Sequence, residues 1–203
     1  MLNRCLDRDY GYIECSVDVA TYVDSKCSGR RRCQLALPDP VLDSWRRPCP
    51  RDLKAYLQVA YSCVKVQTGS GYCGSSQHAK VTQKHGFLSN AITEDTGLGS
   101  SNCPWLVEAE EGQHIVITLL YFAVWSDGTG GLPHQSSRES GLCHIYAYVE
   151  EEDTGSKVTL CGRETKESVV YTSETNRVVV QVPDPRLSNP PAYFLLRYEG
   201  TCQ

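Results

Sequence analysis

The chain has 203 residues, 40% of them hydrophobic, and a formal net charge of −4. That length holds one large domain or two small ones, and the apolar content excludes wholesale disorder. The mildly acidic balance excludes generic nucleic-acid binding, which rests on a strong basic excess.

Charge is unevenly spread. Residues 1–63 carry ten Lys and Arg against eight Asp and Glu, whereas residues 64–203 carry ten against sixteen. The difference favours two separate units. In chain order, the alternating run Lys54–Tyr61 predicts a strand. Val64–Tyr72, the stretch VKVQTGSGY, gathers Gly and Ser without apolar periodicity and reads as a linker. Strands are then predicted over Gln113–Phe122, Ile145–Val149, Arg177–Val182 and Tyr193–Tyr198. Ser126–Gly141 reads as a long surface loop inside the second unit, and Asp153-Thr154-Gly155 as a hairpin turn. The acidic run Glu150-Glu151-Glu152-Asp153 is expected at a solvated hairpin tip, since strand neighbours point to opposite faces and cannot converge on a metal. Strong helix patterns are scarce and no internal repeat is visible. The fold class expected is mainly β, with a small α contribution in the first unit.

Eleven cysteines run the whole length of the chain. Such density reads as disulfide scaffolding in an oxidising compartment. Zinc sites need closely spaced ligand pairs, but there is no C-x-x-C, and His78, His85, His114, His134 and His144 do not pair at H-x-(3–5)-H spacing. No metal and no cofactor is expected. An odd number leaves at least one thiol without a partner inside the chain. The start, MLNRCLDRDYGYIEC, lacks the apolar core of a signal peptide, and no apolar run reaches the length of a membrane span. Disulfide density without a leader predicts a piece of a longer extracellular or plasma-membrane protein.

Catalytic patterns are missing too. There is no G-x-S-x-G elbow and no H-E-x-x-H. Gly128-Thr129-Gly130-Gly131 lacks the Lys-Ser/Thr that follows at phosphate-loop spacing. The chain is not expected to be an enzyme.

In the first unit, Cys5, Cys15, Cys27, Cys33, Cys49 and Cys63 frame three segments: Cys27-Ser28-Gly29-Arg30-Arg31-Arg32-Cys33, Arg47-Pro48-Cys49-Pro50, and Lys54 to Cys63. The set resembles the sea-urchin-egg-lectin family, the galactose- or rhamnose-binding lectin domains also found in latrophilin ectodomains. The resemblance implies an α+β module truncated at its N-terminus, with the first strand and the Tyr-Gly-Arg sugar loop upstream of Met1. Lys54 matches the family lysine that contacts sugar. Arg47 stands where sugar-binding members carry an Asp that accepts hydrogen bonds, and Arg can only donate. Lys26, Arg30, Arg31, Arg32, Arg46, Arg47, Arg51 and Lys54 form a basic cluster suited to an anionic partner.

In the second unit, Cys73-Gly74, Cys103-Pro104-Trp105, Cys143 and Leu160-Cys161-Gly162 fall in order among the strands, followed by Tyr193–Tyr198. Together these resemble a CUB domain, an extracellular β-sandwich. The resemblance implies a core position for Trp105. It also implies a lost calcium site, because Tyr146 stands where calcium-binding members carry an Asp; Asp127 and Asp184 are the remaining acidic candidates.

The domains expected are therefore residues 1–63, lectin-like; 64–72, linker; and 73–203, CUB-like. Bridges implied by the resemblances are Cys27–Cys33, Cys15–Cys49, Cys73–Cys103 and Cys143–Cys161. The partners of Cys5 and Cys63 would lie upstream, with Cys202 left over. The function expected is non-catalytic recognition or adhesion at a cell surface, contacting a protein or anionic partner through Lys54, Arg47, Arg30, Arg31, Arg32 and Arg46. One alternative is a lectin for terminal galactose or rhamnose. Another is an accessory module of a larger protease or receptor.

Overall fold

The structure is a computed structural model that describes residues 16–45, 56–68, 73, 78–124, 145–161, 167–183 and 192–202. Cys5, Cys15, Arg46, Arg47, Cys49, Arg51, Lys54, Cys143 and the 126–141 loop lie outside the described residues.

Two short helices open the described chain. The first, α1, spans Ala20–Cys27, and the second, α2, spans Pro40–Ser44. Asp39 caps α2: its carboxylate accepts from the Val41 and Leu42 amides at 2.8 and 3.2 Å. Pro40 follows at the first helical position, where its missing amide costs nothing. The same Asp39 accepts from the Tyr22 hydroxyl at 2.5 Å. Tyr22 meets Trp45 edge-on, 6.5 Å between ring centroids, and the Lys26 ammonium lies over the Tyr22 ring, 5.5 Å from its centroid. Tyr22 and Val23 are the buried hydrophobics of this small cluster.

The rest is β-sandwich. A five-stranded sheet has the order β1-β3-β8-β5-β6, with β1 Ala79–Val81, β3 Trp105–Glu108, β8 Arg177–Gln181, β5 Ile145–Glu151 and β6 Lys157–Cys161. Only the β1–β3 pair in it is parallel. The facing sheet, β2-β9-β4-β7, is antiparallel throughout, with β2 His85–Ser89, β9 Ala192–Thr201, β4 His114–Val124 and β7 Ser168–Thr172. A one-turn helix, α3 Thr93–Thr96, follows β2 and ends at Gly97, whose φ of 73° suits a residue without a Cβ.

Alternation explains the core. On β4, Ile115, Ile117 and Leu119 point inward; on β9, Phe194, Leu196 and Tyr198 do the same. They meet Val107, Val149, Val178 and Val180 of the opposite sheet, and Tyr146 lies 6.1 Å from Phe194 across the gap. Trp105 is fully buried in this cluster. Gly99, at φ 82°, presses against its ring so closely that any Cβ there would collide with it. The protein is mainly β, and β4, β5, β8 and β9 occupy four of the runs read as strands.

Two sequence expectations need correction. The described part of the run Lys54–Tyr61, residues 56–61, belongs to no strand of either sheet. Alternation fixes an extended backbone; it supplies no neighbour for the ladder. The acidic run is the second case. Its alternation holds, but one of its faces is the protein interior, and Glu151 is only 1% exposed.

Candidate recognition surface

The basic loop is built on the end of α1. Ser28 caps the helix, its amide donating to the Asp24 carbonyl at 3.0 Å and its hydroxyl to the Asp24 carboxylate at 2.6 Å. Gly29 follows at φ 74°, and the Cys27–Cys33 disulfide closes the loop around Arg30, Arg31 and Arg32. This loop rests on the sandwich. A Cβ at Gly29 would stand 2.8 Å from the Tyr121 ring of β4 and 3.6 Å from Tyr193 of β9. The Tyr121 hydroxyl lies 3.4 Å from the Asp24 carbonyl. Burial and the nearby Asp24 carboxylate push the Tyr121 phenol up, against a smaller opposing pull from Arg30.

Seating the loop on Tyr121 sorts its arginines. All three are exposed. Arg31 pairs with Asp95 of α3, an exposed ion pair on which both side chains remain more than half accessible. Arg31 is thereby committed partly to the sandwich, and Arg32 extends from the same loop toward solvent. Asp95 was not legible as a partner of Arg31, because it lies 64 residues on, in a four-residue helix.

The stretch 56–65 presents Tyr56 and Tyr61, at 86% and 84% exposure, with Val59 and Val64 also uncovered. The stretch continues as the single parallel bridge Val66–Phe87 on the edge of β2. The Gln67 amide donates to the Phe87 carbonyl at 2.8 Å, and the Gln67 side chain bonds Gln83 at 2.5 Å. Part of the 64–72 segment thus lies along the sandwich.

At the position where the CUB resemblance places a calcium ligand, Tyr146 is 1% exposed and packed into the core. The buried carboxylate of the region is Glu151. It accepts from Tyr171 at 2.7 Å, from the Glu174 amide at 2.8 Å, from the Thr175 amide at 3.2 Å and from the Thr175 hydroxyl. Burial raises its pKa, but these donors outweigh burial and hold it below the usual carboxylate range. Each carboxylate oxygen accepts from two protein donors, so Glu151 works as a structural latch between β5 and the β7–β8 turn. Its neighbours face the other way: Glu150 pairs with Lys157 at 3.6 Å and Glu152 with Arg177 at 2.8 Å. Among the described residues no group of three or more His, Cys, Asp or Glu could hold a metal ion, and no helix is long and apolar enough to cross a membrane.

The described cysteines fall into two sets. Cys27 joins Cys33, Cys73 joins Cys103, and Cys161 is disulfide-bonded. Cys63 and Cys202 are free and exposed.

No protein-family model matches the chain, and no curated protein matches it. Among solved structures, the full extracellular region of zebrafish Gpr126/Adgrg6 aligns with a TM-score of 0.39 and 18% identity, over 64% of this chain and 15% of that one. The CUB1-EGF-CUB2 domain of human MASP-1/3 aligns with a TM-score of 0.35 and 14% identity, over 60% of this chain and 41% of that one. The rat MASP-1 CUB1-EGF-CUB2 domains give 0.38 and 19%, over 61% and 42%. The chain therefore spans less than half the length of each of these neighbours.

Proposed function

We propose that the chain is a non-catalytic extracellular recognition module that contacts an anionic protein or sulfated glycan at a cell surface. In this reading residues 1–63 are a lectin-like unit, 64–72 a linker and 73–203 a CUB-like unit. The single observation that carries it is the bridged basic loop. Cys27–Cys33 holds three consecutive arginines in an exposed turn seated on the sandwich, and fixed guanidinium groups suit carboxylate and sulfate partners. Cysteine pairing supports an oxidising compartment. Arg46, Arg47 and Lys54 join the same basic set by sequence.

The competing lectin reading keeps Lys54 but has Arg47 where sugar-binding members carry an Asp. A neutral sugar loses directional hydrogen bonds by that change, each about 0.5–1.5 kcal/mol net. The test is binding of the full chain to an immobilised sulfated polysaccharide. Affinity falls several-fold from low to physiological salt, and Arg32→Glu with Arg47→Glu reduces it further. Free galactose and rhamnose leave it unchanged. Salt-insensitive binding displaced by millimolar rhamnose overturns the proposal in favour of the lectin.

A further inference from the structure

The outer face of the four-stranded sheet carries a cation that the loop alone does not account for. Burial alternates along β9 without a break. Phe194, Leu196, Tyr198 and Gly200 face the core, so Tyr193, Leu195, Arg197 and Glu199 face outward. Arg197 is exposed. It stands in the row Phe87–Arg197–Thr118–Val169, which crosses all four strands. A carboxylate on a neighbouring strand would stabilise it. Its cross-strand neighbours are instead a phenyl ring and a threonine, and it forms no ion pair among the described residues. The acid on this face of β9 is Glu199, one row further on and opposite His85.

The basic loop docks on that same face. A Cβ at Gly29 would stand 3.6 Å from the Tyr193 Cβ and 2.8 Å from the Tyr121 ring. Tyr193 is outward on β9, and Tyr121 is in register with the outward Leu195. From Tyr193 to Arg197 is four residues of strand, about 13 Å. The row between them is Ser89–Leu195–Tyr121, which carries no charge. Of the loop cations, Arg31 is paired with Asp95, whereas Arg32 is exposed. The face therefore offers guanidinium groups at both ends of an uncharged, partly apolar strip.

We infer that this strip is the track of an extended sulfated glycan, which the docked loop holds at one end and Arg197 at the other. The inference rests on the reading of the loop as an anion-binding site and adds to it a second contact, a direction and a length. Guanidinium forks pair with sulfate oxygens through two parallel hydrogen bonds. A sulfated pyranose chain carries its charge on its edges and C–H groups on its faces, and those faces suit the half-buried Phe87 and Leu195. A run of acidic side chains would instead lay carboxylates over that apolar floor. Glu199 marks where the track stops, since its carboxylate repels an anion that passes beyond Arg197.

The experiment titrates sulfated oligosaccharides of defined length into the full chain and its variants at low salt. An octasaccharide spans the loop and Arg197, whereas a disaccharide reaches the loop alone. Arg197→Gln is expected to weaken the octasaccharide several-fold and to leave the disaccharide unchanged. Arg197→Lys restores most of the loss, and Glu199→Gln tightens the octasaccharide. Both side chains are exposed, so the unfolding temperature of each variant is expected to match that of the unmodified protein. Equal octasaccharide affinity in the unmodified protein and Arg197→Gln, with Arg32→Glu still weakening it, overturns this inference alone. Failure of both oligosaccharides to bind the unmodified protein overturns the reading of the loop as well. A polyglutamate peptide of equal charge that binds as tightly, and loses as much in Arg197→Gln, overturns the choice of a glycan.

Discussion

Glu151 shows what one side chain contributes once its partners are known. The carboxylate is buried, yet its folded pKa lies below its ordinary value of 4.5, because four donors converge on it. A carboxyl with a depressed folded pKa contributes stability that is fully present above the unfolded value and is lost as pH falls through the folded one. Thermal melts are therefore expected to hold steady near neutrality and drop as pH falls below about 4.5, and Glu151→Gln flattens that drop. Glu151→Ala is expected to cost about 2–4 kcal/mol, because it strands buried donors from Tyr171 and Thr175. A denaturant midpoint unchanged in the Ala variant would sink this account. Gly99 acts through shape alone. At φ 82° against the Trp105 ring, Gly99→Ala is expected to cost about 2–3 kcal/mol, combining backbone strain with overpacking.

Among the elements, the helical cluster depends on one capping residue. Asp39 holds the first turn of α2 and the Tyr22 hydroxyl at once. Its bond to Tyr22, with some burial, pushes the Tyr22 phenol up to about 12 and holds the Asp39 carboxyl below its ordinary value. Asp39→Ala is expected to loosen α1 and α2 together. Protection of the Val41 and Leu42 amides in hydrogen exchange falls, and Tyr22 titrates closer to an ordinary tyrosine. Asp39→Asn keeps one acceptor oxygen and loses less protection. Equal protection in all three proteins would show that the cap is not what orders the helix. Strand elements behave differently, since β4 and β9 pair over ten positions and no single side chain decides them.

For the whole molecule, the buried Tyr146 leads to an expectation about calcium. Only a bound ligand stabilises by mass action, and Tyr146 offers no carboxylate at the position where the CUB resemblance places one. Adding millimolar calcium is expected to leave the unfolding temperature of the sandwich unchanged. A rise of several degrees would place a calcium site in residues such as Asp127 or Asp184. Docking of the basic loop is a second property at this scale. It rests on Gly29 against Tyr121 and on the Arg31–Asp95 pair. Gly29→Leu is expected to release the loop and raise access to the Tyr121 ring, read as faster hydrogen exchange across residues 24–33. Asp95→Ala alone changes little, as exposed pairs contribute about 0–1 kcal/mol.

The sequence by itself determined the mainly β character, four of the nine described strands and the turn at Asp153-Thr154-Gly155, while the buried place of Trp105 was implied by the resemblance to a CUB domain. These are legible because period-two alternation and turn chemistry act over a few neighbouring residues. Arg30, Arg31 and Arg32 were legible as a basic loop for the same reason. Tertiary structure alone decided where such local elements face. Glu150 to Asp153 read as four equivalent acids until Tyr171 and Thr175, about twenty residues on, converged on Glu151 and no other. Residues 56–61 alternate as a strand does but form none, because a strand needs a hydrogen-bonded neighbour, and pairing is a property of two segments. The same holds for Asp95 opposite Arg31. Each depends on a contact between residues distant in the chain, and local patterning carries no record of which distant residue the packing of the two sheets will deliver.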